Sequence, residues 1–211
     1  MKHITMEKEQ FIRTLKKVLR KNDIKISTQK IFSLYLYYKQ LLIWNKKINL
    51  ISKKQENNFI ERHLVDSLWV LKILHTKEND TILDLGSGNG LPGIPLAVSV
   101  PFVKIFLLES NKKKCVFLNH VKSILSLKNV TVLCERFEKV HSVLQELDYV
   151  LIRGKKLLDK EKELIMEKLK KQGKIIIYAG DRTLIPPLGP GERLESFLTM
   201  GKRKIITIGK F

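Results

Sequence analysis

Four glycines behind an acidic residue form the densest chemical signal in the chain. In Ile82 to Ala97, "ILDLGSGNGLPGIPLA", Asp84 precedes Gly86, Gly88, Gly90 and Gly93. Two fingerprints overlap there. Gly88, Gly90 and Gly93 spell G-x-G-x-x-G, which between a strand and a helix seats a pyrophosphate on the helix N-terminus. Gly86, Gly88 and Gly90 spell a tighter G-x-G-x-G directly behind Asp84. A carboxylate beside two phosphate charges in a partly buried site costs on the order of a few kcal/mol. Pro92 and Pro95 also interrupt the longer match, which leaves Gly86 unexplained. A cationic ligand removes the conflict. S-adenosylmethionine carries a sulfonium and an α-ammonium and no phosphate, and Glu109, one strand-helix unit later, suits its ribose hydroxyls. The plainer reading of Asp84 is a cap for the strand-to-helix turn.

Other residues with chemical capacity are fewer. Arg153 ends the apolar segment "DYVLIRG", where a strand end meets a ligand in an open α/β sheet. His63 has Asp66 three residues on at helical spacing, which favours a structural hydrogen bond over a general base. Cys115 and Cys134 show no metal-ligand spacing and read as free buried thiols, Cys134 as core; no metal site is expected.

These residues need elements to hold them. Residues 6–21 carry Phe11, Ile12, Leu15, Val18 and Leu19 on one helical stripe. A second helix, capped by Ser27 or Thr28, buries Ile31, Leu34, Tyr35, Tyr38, Leu41 and Leu42, and a third covers about residues 57–75. The run Tyr35, Tyr37, Tyr38 reads as core and rim packing, not a base-stacking platform. From Asp80 the pattern becomes "TILDLG", "VKIFLLES", "VTVLCE", "DYVLIRG" and "GKIIIYAG", strands with helical segments between them. That alternation predicts a mostly parallel sheet covered on both faces. After the loop "IPPLGPGE", "ERLESFLTM" and "KRKIITIGK" predict an antiparallel end to the sheet around Gly201. The expected architecture is α/β and Rossmann-like, with an N-terminal helical extension over residues 1–76 and a cofactor-binding domain over 77–211.

Charge narrows the partner. The 211 residues carry a formal net charge of +19, from 32 Lys and 8 Arg against 21 acidic residues. Such a surplus fits a polyanion, RNA or DNA, and a Lys-rich excess also arises from biased composition on a solvated surface. No apolar run reaches membrane-spanning length, and the polar N-terminus "MKHITMEKEQ" is not a secretory signal, so a cytoplasmic protein that touches no membrane is expected.

Taken in order along the chain, "WNKKINLIS", "ERHLVDSL", "LDLGSGNGLPGIPLA", "RFE" and "KRKIITIGK" resemble the bacterial 16S rRNA guanine-N7 methyltransferases, the RsmG or GidB family. The two prolines in "GLPGIPLA" are distinctive, because generic methyltransferases lack them. The resemblance implies a class I methyltransferase fold, S-adenosylmethionine as methyl donor, and 16S ribosomal RNA or the small subunit as partner of a monomer. It carries Gly86 and Leu91 to cofactor positions in the turn, and Phe137 and Glu138 to the pair beside the adenine. Arg153 becomes a cofactor contact facing the transfer site, and Arg136 and Arg203 become basic positions facing RNA phosphate. Trp44, Asn45, Asn49, Leu50, His63, Asp66 and Ser67 match the extension beside the cleft. The sequence departs from the family pattern at Ile152-Arg153-Gly154 in place of Ser-Arg-Ala, at Ala179 in place of Lys, and at Glu109 in place of Asp.

Guanine N7 has an exposed lone pair and no proton, so attack needs positioning and no general base. Arg153 bound bidentate to O6 and N7 would block the nucleophile, which leaves it the cofactor, a phosphate, or O6 alone. Two other classes stay open: a methyltransferase-fold protein that binds rRNA with weak or lost transfer, and, more remotely, a nucleotide-dependent oxidoreductase.

Overall fold

A computed structural model of the chain describes residues 6–180, 186–200 and 203–211. The expected turn at Gly201 lies outside the described residues. Helices α1 (Lys8–Lys21) and α2 (Thr28–Asn45) open the fold. The side chain of Ser27 caps α2 by accepting from the Lys30 amide. The third expected helix is a broken one. It runs as α3 (Lys53–Asn57), a π-helical turn (Ile60–Leu64) and α4 (Val65–Trp69), followed by a 3-10 turn over Val70–Lys72.

Strands β1 (Thr81–Leu85), β2 (Lys104–Leu108), β3 (Val130–Leu133), β4 (Leu147–Arg153) and β5 (Leu169–Ala179) are parallel. Between them come α5 (Gly93–Ser99), α6 (Lys112–Ile124), α7 (Phe137–Val140) and α8 (Asp159–Lys168). Strands β6 (Glu192–Met200) and β7 (Arg203–Lys210) close the sheet antiparallel, in the order β3-β2-β1-β4-β5-β7-β6. The order reverses between β1 and β4, and a crevice opens there beyond the strand ends.

Every residue of β1 is buried, as expected of a parallel strand covered on both faces. Alternate side chains feed two cores. Ile82, Tyr149, Leu151 and Ile176 face one core, which takes in α5, α6 and the extension. Leu83, Val150, Ile152 and Ile177 face the other, with Phe137 and Ile165. Phe11, Leu15 and Leu19 of α1 lie in the first core at helical spacing, each contributing about 1.5–3 kcal/mol of burial. Tyr35, Tyr37 and Tyr38 are buried together, so their rings pack in the core.

The cysteines differ from expectation. Cys115, buried in the first turn of α6, is joined in a disulfide to Cys134 just past β3, and Cys134 is exposed. The expectation of two free buried thiols fails because β3 pairs with β2 in register and brings its end against the start of α6, with the two Cα atoms 5.8 Å apart.

Candidate active site

The glycine turn is built from both sides. Gly86 and Ser87 donate their amides to the Leu108 carbonyl, extending the β1–β2 ladder by a turn. Gly86, Gly88 and Gly90 take φ of 80°, 57° and 92°, backbone that a side chain would strain. Glu109, buried at the end of β2, accepts the Gly88 amide on Oε2 (2.9 Å) and the Asn111 amide on Oε1 (2.8 Å). Asp84 turns beneath the loop, and its Oδ2 accepts the Gly93 amide at 3.0 Å, at the first residue of α5. Burial pushes the Asp84 carboxyl up to about 7, against the Gly93 hydrogen bond that favours ionisation.

The extension grips this turn. Tyr37, fully buried, donates its hydroxyl to the Asn89 carbonyl at 2.7 Å, and Asn89 donates its side-chain amide to the Leu50 carbonyl at 3.4 Å. Leu50 is itself placed by Asn45, whose Oδ1 accepts the Leu50 and Ile51 amides.

At the other end of the crevice, β4 delivers Arg153. Its guanidinium donates to the Ser67 hydroxyl (3.2 Å), the His63 carbonyl (3.4 Å), the Arg62 carbonyl (3.3 Å) and the His63 ring Nδ1 (3.0 Å). Most of its donor capacity is therefore spent on the π-helical turn and the start of α4. A π turn inside a helix is a common mark of a functional site, and here it presents two carbonyls and an imidazole to one arginine. The hydrogen bond expected between His63 and Asp66 gives way to this contact. Asp66 instead receives Arg203 from β7 on Oδ1, with Arg153 3.9 Å from Oδ2. Arg203 also donates to the Glu61 carbonyl. Burial raises the Asp66 carboxyl above its ordinary range, opposed by the Arg203 hydrogen bond. His63 is pushed down to about 4 by burial and by the charges of Arg153, Arg203 and Arg62, so it is neutral at neutral pH.

Between these two walls lies a cavity of about 460 Å³. Of the residues singled out from sequence, Gly86, Gly88, Leu91, Glu109, Arg153, Gly154, Ala179, Arg203, Leu50, His63 and Asp66 line it. Asp84 and Gly90 lie behind the turn they shape, and Ser67, Trp44, Asn45 and Asn49 stand outside the lining. Phe137 is buried at the start of α7, while Arg136 and Glu138 are exposed beside it, all three outside the lining.

Sequence reasoning missed Tyr178, Trp69 and Lys114, which also line the cavity. Tyr178 sits opposite Arg153 in the β4–β5 register, places its ring 5.8 Å from the guanidinium and donates its hydroxyl to the Ser67 carbonyl. The rule that ligands meet strand ends, applied to β5 as it was to β4, would have found it. Among the described residues there is no cluster of His, Cys, Asp and Glu able to hold a metal ion, and no helix long and apolar enough to cross a membrane.

Solved structures share this architecture. MtNAS in complex with MTA and tNA aligns with a TM-score of 0.60 at 15% identity, over 95% of this chain and 81% of that one. TrmN from Thermus thermophilus aligns with a TM-score of 0.57 at 16% identity, over 70% of this chain and 49% of that one. At such identities the likeness shows the fold.

Sequence relatives say more. A "Ribosomal RNA small subunit methyltransferase G" of Polynucleobacter asymbioticus is 35% identical over 163 residues, 74% of this chain and 72% of that protein. The protein of the same name from Pseudomonas putida (strain GB-1) is 39% identical over 135 residues, 64% of this chain and 62% of the relative. The chain thus spans about three-fifths of the length of several curated relatives it matches. The family described as GidB, rRNA small subunit methyltransferase G, matches residues 30–186, a span that runs from α2 past the end of β5 and takes in both walls of the cavity apart from Arg203 and its neighbours on β7. The chain belongs to that family.

Proposed function

We propose that this chain transfers a methyl group from S-adenosylmethionine to N7 of a guanine in 16S ribosomal RNA. The observation that carries the reading is the family match across a crevice whose floor is a positive-φ glycine turn and whose wall is the Glu109 carboxylate. These residues fit the methyl donor. Gly88 offers bare backbone to a ligand, since a Cβ there would meet nothing closer than the Gly86 carbonyl at 3.8 Å. Glu109 supplies acceptors for the donor's ribose hydroxyls, with lone pairs left over after its two amide contacts. When bound, S-adenosylmethionine would supply an electrophilic methyl on a sulfonium, with the neutral thioether as leaving group as the C–S bond breaks.

The chain's own residues then have three tasks. The turn from Gly86 to Leu91, braced by Tyr37, holds the donor's position. Arg153, Asp66 and Arg203 fix the opposite wall, so the two walls keep a set distance. The site takes no proton: His63 is neutral with one ring nitrogen engaged by Arg153, and an N7 nucleophile carries no proton to remove. Lys114, Lys204 and Arg203 at the rim supply positive charge for RNA phosphate, in keeping with the net charge of +19.

The test is calorimetric titration with S-adenosylmethionine and with NAD, followed by mapping of N7-methylguanine in small ribosomal subunits incubated with chain and donor. Binding of NAD in preference to S-adenosylmethionine would reject the reading. Donor binding without methylation would favour an rRNA-binding protein that has lost transfer.

A further inference from the structure

His63 enters the mechanism above only by what it does not do. Its surroundings give it a positive role. The ring lines the cavity, and its Nδ1 lies 3.0 Å from Nη2 of Arg153. A guanidinium only donates, so Nδ1 must accept, and a ring nitrogen that accepts carries no proton. The proton of the neutral ring therefore sits on Nε2. The backbone around the ring is fixed as well, because the His63 carbonyl accepts from Arg153 (3.4 Å) and from the Ser67 hydroxyl (2.7 Å). No described residue accepts from Nε2, and that nitrogen is not among the buried atoms lacking a partner. It is an N–H donor on a ring that lines the cavity, with no acceptor among the described residues.

Three acceptors are available in principle: solvent, the carboxylate of the methyl donor, and a carbonyl of the target base. The donor's carboxylate is separated from the base by measurement, since loss of that contact would show as lost donor affinity. Guanine carries O6 beside N7, and adenine carries an amino group at the same place. A single N–H on O6 leaves the N7 lone pair free, and it opposes adenine by setting donor against donor. Arg153 has four of its five N–H donors engaged by the extension, which leaves His63 the better-placed donor for this role.

We propose that the Nε2–H of His63, fixed in that tautomer by Arg153, donates to O6 of the target guanine and selects guanine over adenine at the moment of transfer. His63 is thus a specificity-determining residue. This rests on the N7-methyltransferase reading above.

Two conservative variants separate the two ring nitrogens. In His63→Asn the amide oxygen reaches the Nδ1 position and keeps the Arg153 contact, while the cavity donor is lost. In His63→Gln the amide nitrogen reaches the Nε2 position and keeps the cavity donor. The measurements are calorimetric affinity for S-adenosylmethionine, single-turnover methylation of small ribosomal subunits, and ring ¹⁵N resonances of the wild-type chain. The expected result is an unprotonated Nδ1 from about pH 6 to about pH 8, where a free imidazole would change state. His63→Asn should keep donor affinity within about twofold and lose roughly ten- to a hundredfold in transfer, the range for one hydrogen bond left unmade. His63→Gln should recover most of that loss.

A protonated Nδ1 overturns the proposal. So does full activity in His63→Asn, or a loss of donor affinity matching the loss in transfer, which would assign the N–H to the methionine carboxylate. A wild-type chain that binds the donor and methylates no guanine removes the N7 reading itself and this inference with it, an outcome distinct from any difference among variants. If His63→Asn fails to fold, the ring resonances and the His63→Gln variant still decide.

Discussion

Replacing Arg153 by methionine tests the proposition that the transfer wall hangs on one guanidinium. The substitution keeps the apolar stem and removes four hydrogen bonds. The contacts to His63 Nδ1 at 3.0 Å and to Ser67 at 3.2 Å are well formed, and those at 3.3 and 3.4 Å to backbone carbonyls are weaker. A hydrogen bond to a charged group is worth about 1.5–3 kcal/mol, and the freed carbonyls sit where water can reach them in part. Asp66 keeps its ion pair with Arg203, so no carboxylate is stranded and the penalty of about 3–5 kcal/mol for a broken buried pair does not apply. The balance is a loss of roughly 2–4 kcal/mol. For a domain of this size that lowers Tm by roughly 5–15 °C with the fold retained.

The sharper readout is His63. Burial and Arg153 are the first two causes of its depressed pKa of about 4, and only burial survives the substitution together with Arg203 and Arg62. The imidazole pKa should therefore rise while staying below its ordinary value near 6.5. A lowered folded pKa means that the stability from keeping His63 neutral is present above about pH 6.5 and is lost as pH falls through about 4. That acid-side slope should be shallower in Arg153→Met. Thermal unfolding by circular dichroism across pH, with an NMR titration of the His63 ring, measures both. An unchanged Tm with an unchanged His63 titration would refute the clamp.

Asp84→Asn should expose an opposed pH effect. The Asp84 carboxyl, raised to about 7, favours folding below about pH 4 and loses that contribution as pH climbs through 7, so its removal should make stability rise more steeply with pH over that window; an unaltered slope would mean the carboxyl titrates normally. Gly93→Ala should destabilise by about 1–3 kcal/mol or more, because its Cβ would lie 2.6 Å from Asp84 Oδ2 as well as against Leu107; a stable variant by urea unfolding would contradict that packing. Glu109→Ala should weaken S-adenosylmethionine binding by about 1.5–3 kcal/mol in calorimetry, losing the ribose acceptor and the brace on Gly88, and unchanged affinity would move the donor elsewhere. Affinity for 16S rRNA should fall linearly with salt on logarithmic axes, whereas a flat response would make the Lys excess compositional.

What could be read from sequence, and what could not, divides along a physical line. β1 was legible because a strand buried on both faces is mostly apolar, as Ile82, Leu83 and Leu85 are, and the turn after it because glycine best tolerates its backbone. α1 was legible from Phe11, Leu15 and Leu19 at fourfold spacing. These are local constraints, each written into adjacent residues. The partners of Arg153 stand about 90 positions away on a helix whose π turn no periodicity announces, so its grip on the extension could not be read beside its place at the cavity. Asp84 shows the same limit on a smaller scale, since its type suggests a ligand and does not reveal that its Oδ2 also accepts the Gly93 amide at the start of α5. The disulfide was illegible because 19 residues separate its halves, and only the register of β3 against β2 decides that they meet. Tyr178 was passed over although its register partner was not.

The order in which the cavity's parts are made follows from the strand order. Arg203 and Ile205, both on its wall, belong to β7, which is the last strand among the described residues yet lies inward of β6, against β5. A chain emerging from the ribosome from its N-terminus completes the extension, the glycine turn and Arg153 while Asp66 still waits for Arg203. Until β7 arrives, that aspartate has no Arg203, and one side of the crevice stands open to water. A nascent or prematurely ended polypeptide can thus carry every residue of the glycine turn and still lack an enclosed cleft. Arrival of β7, not synthesis of the signature, is the step that closes it.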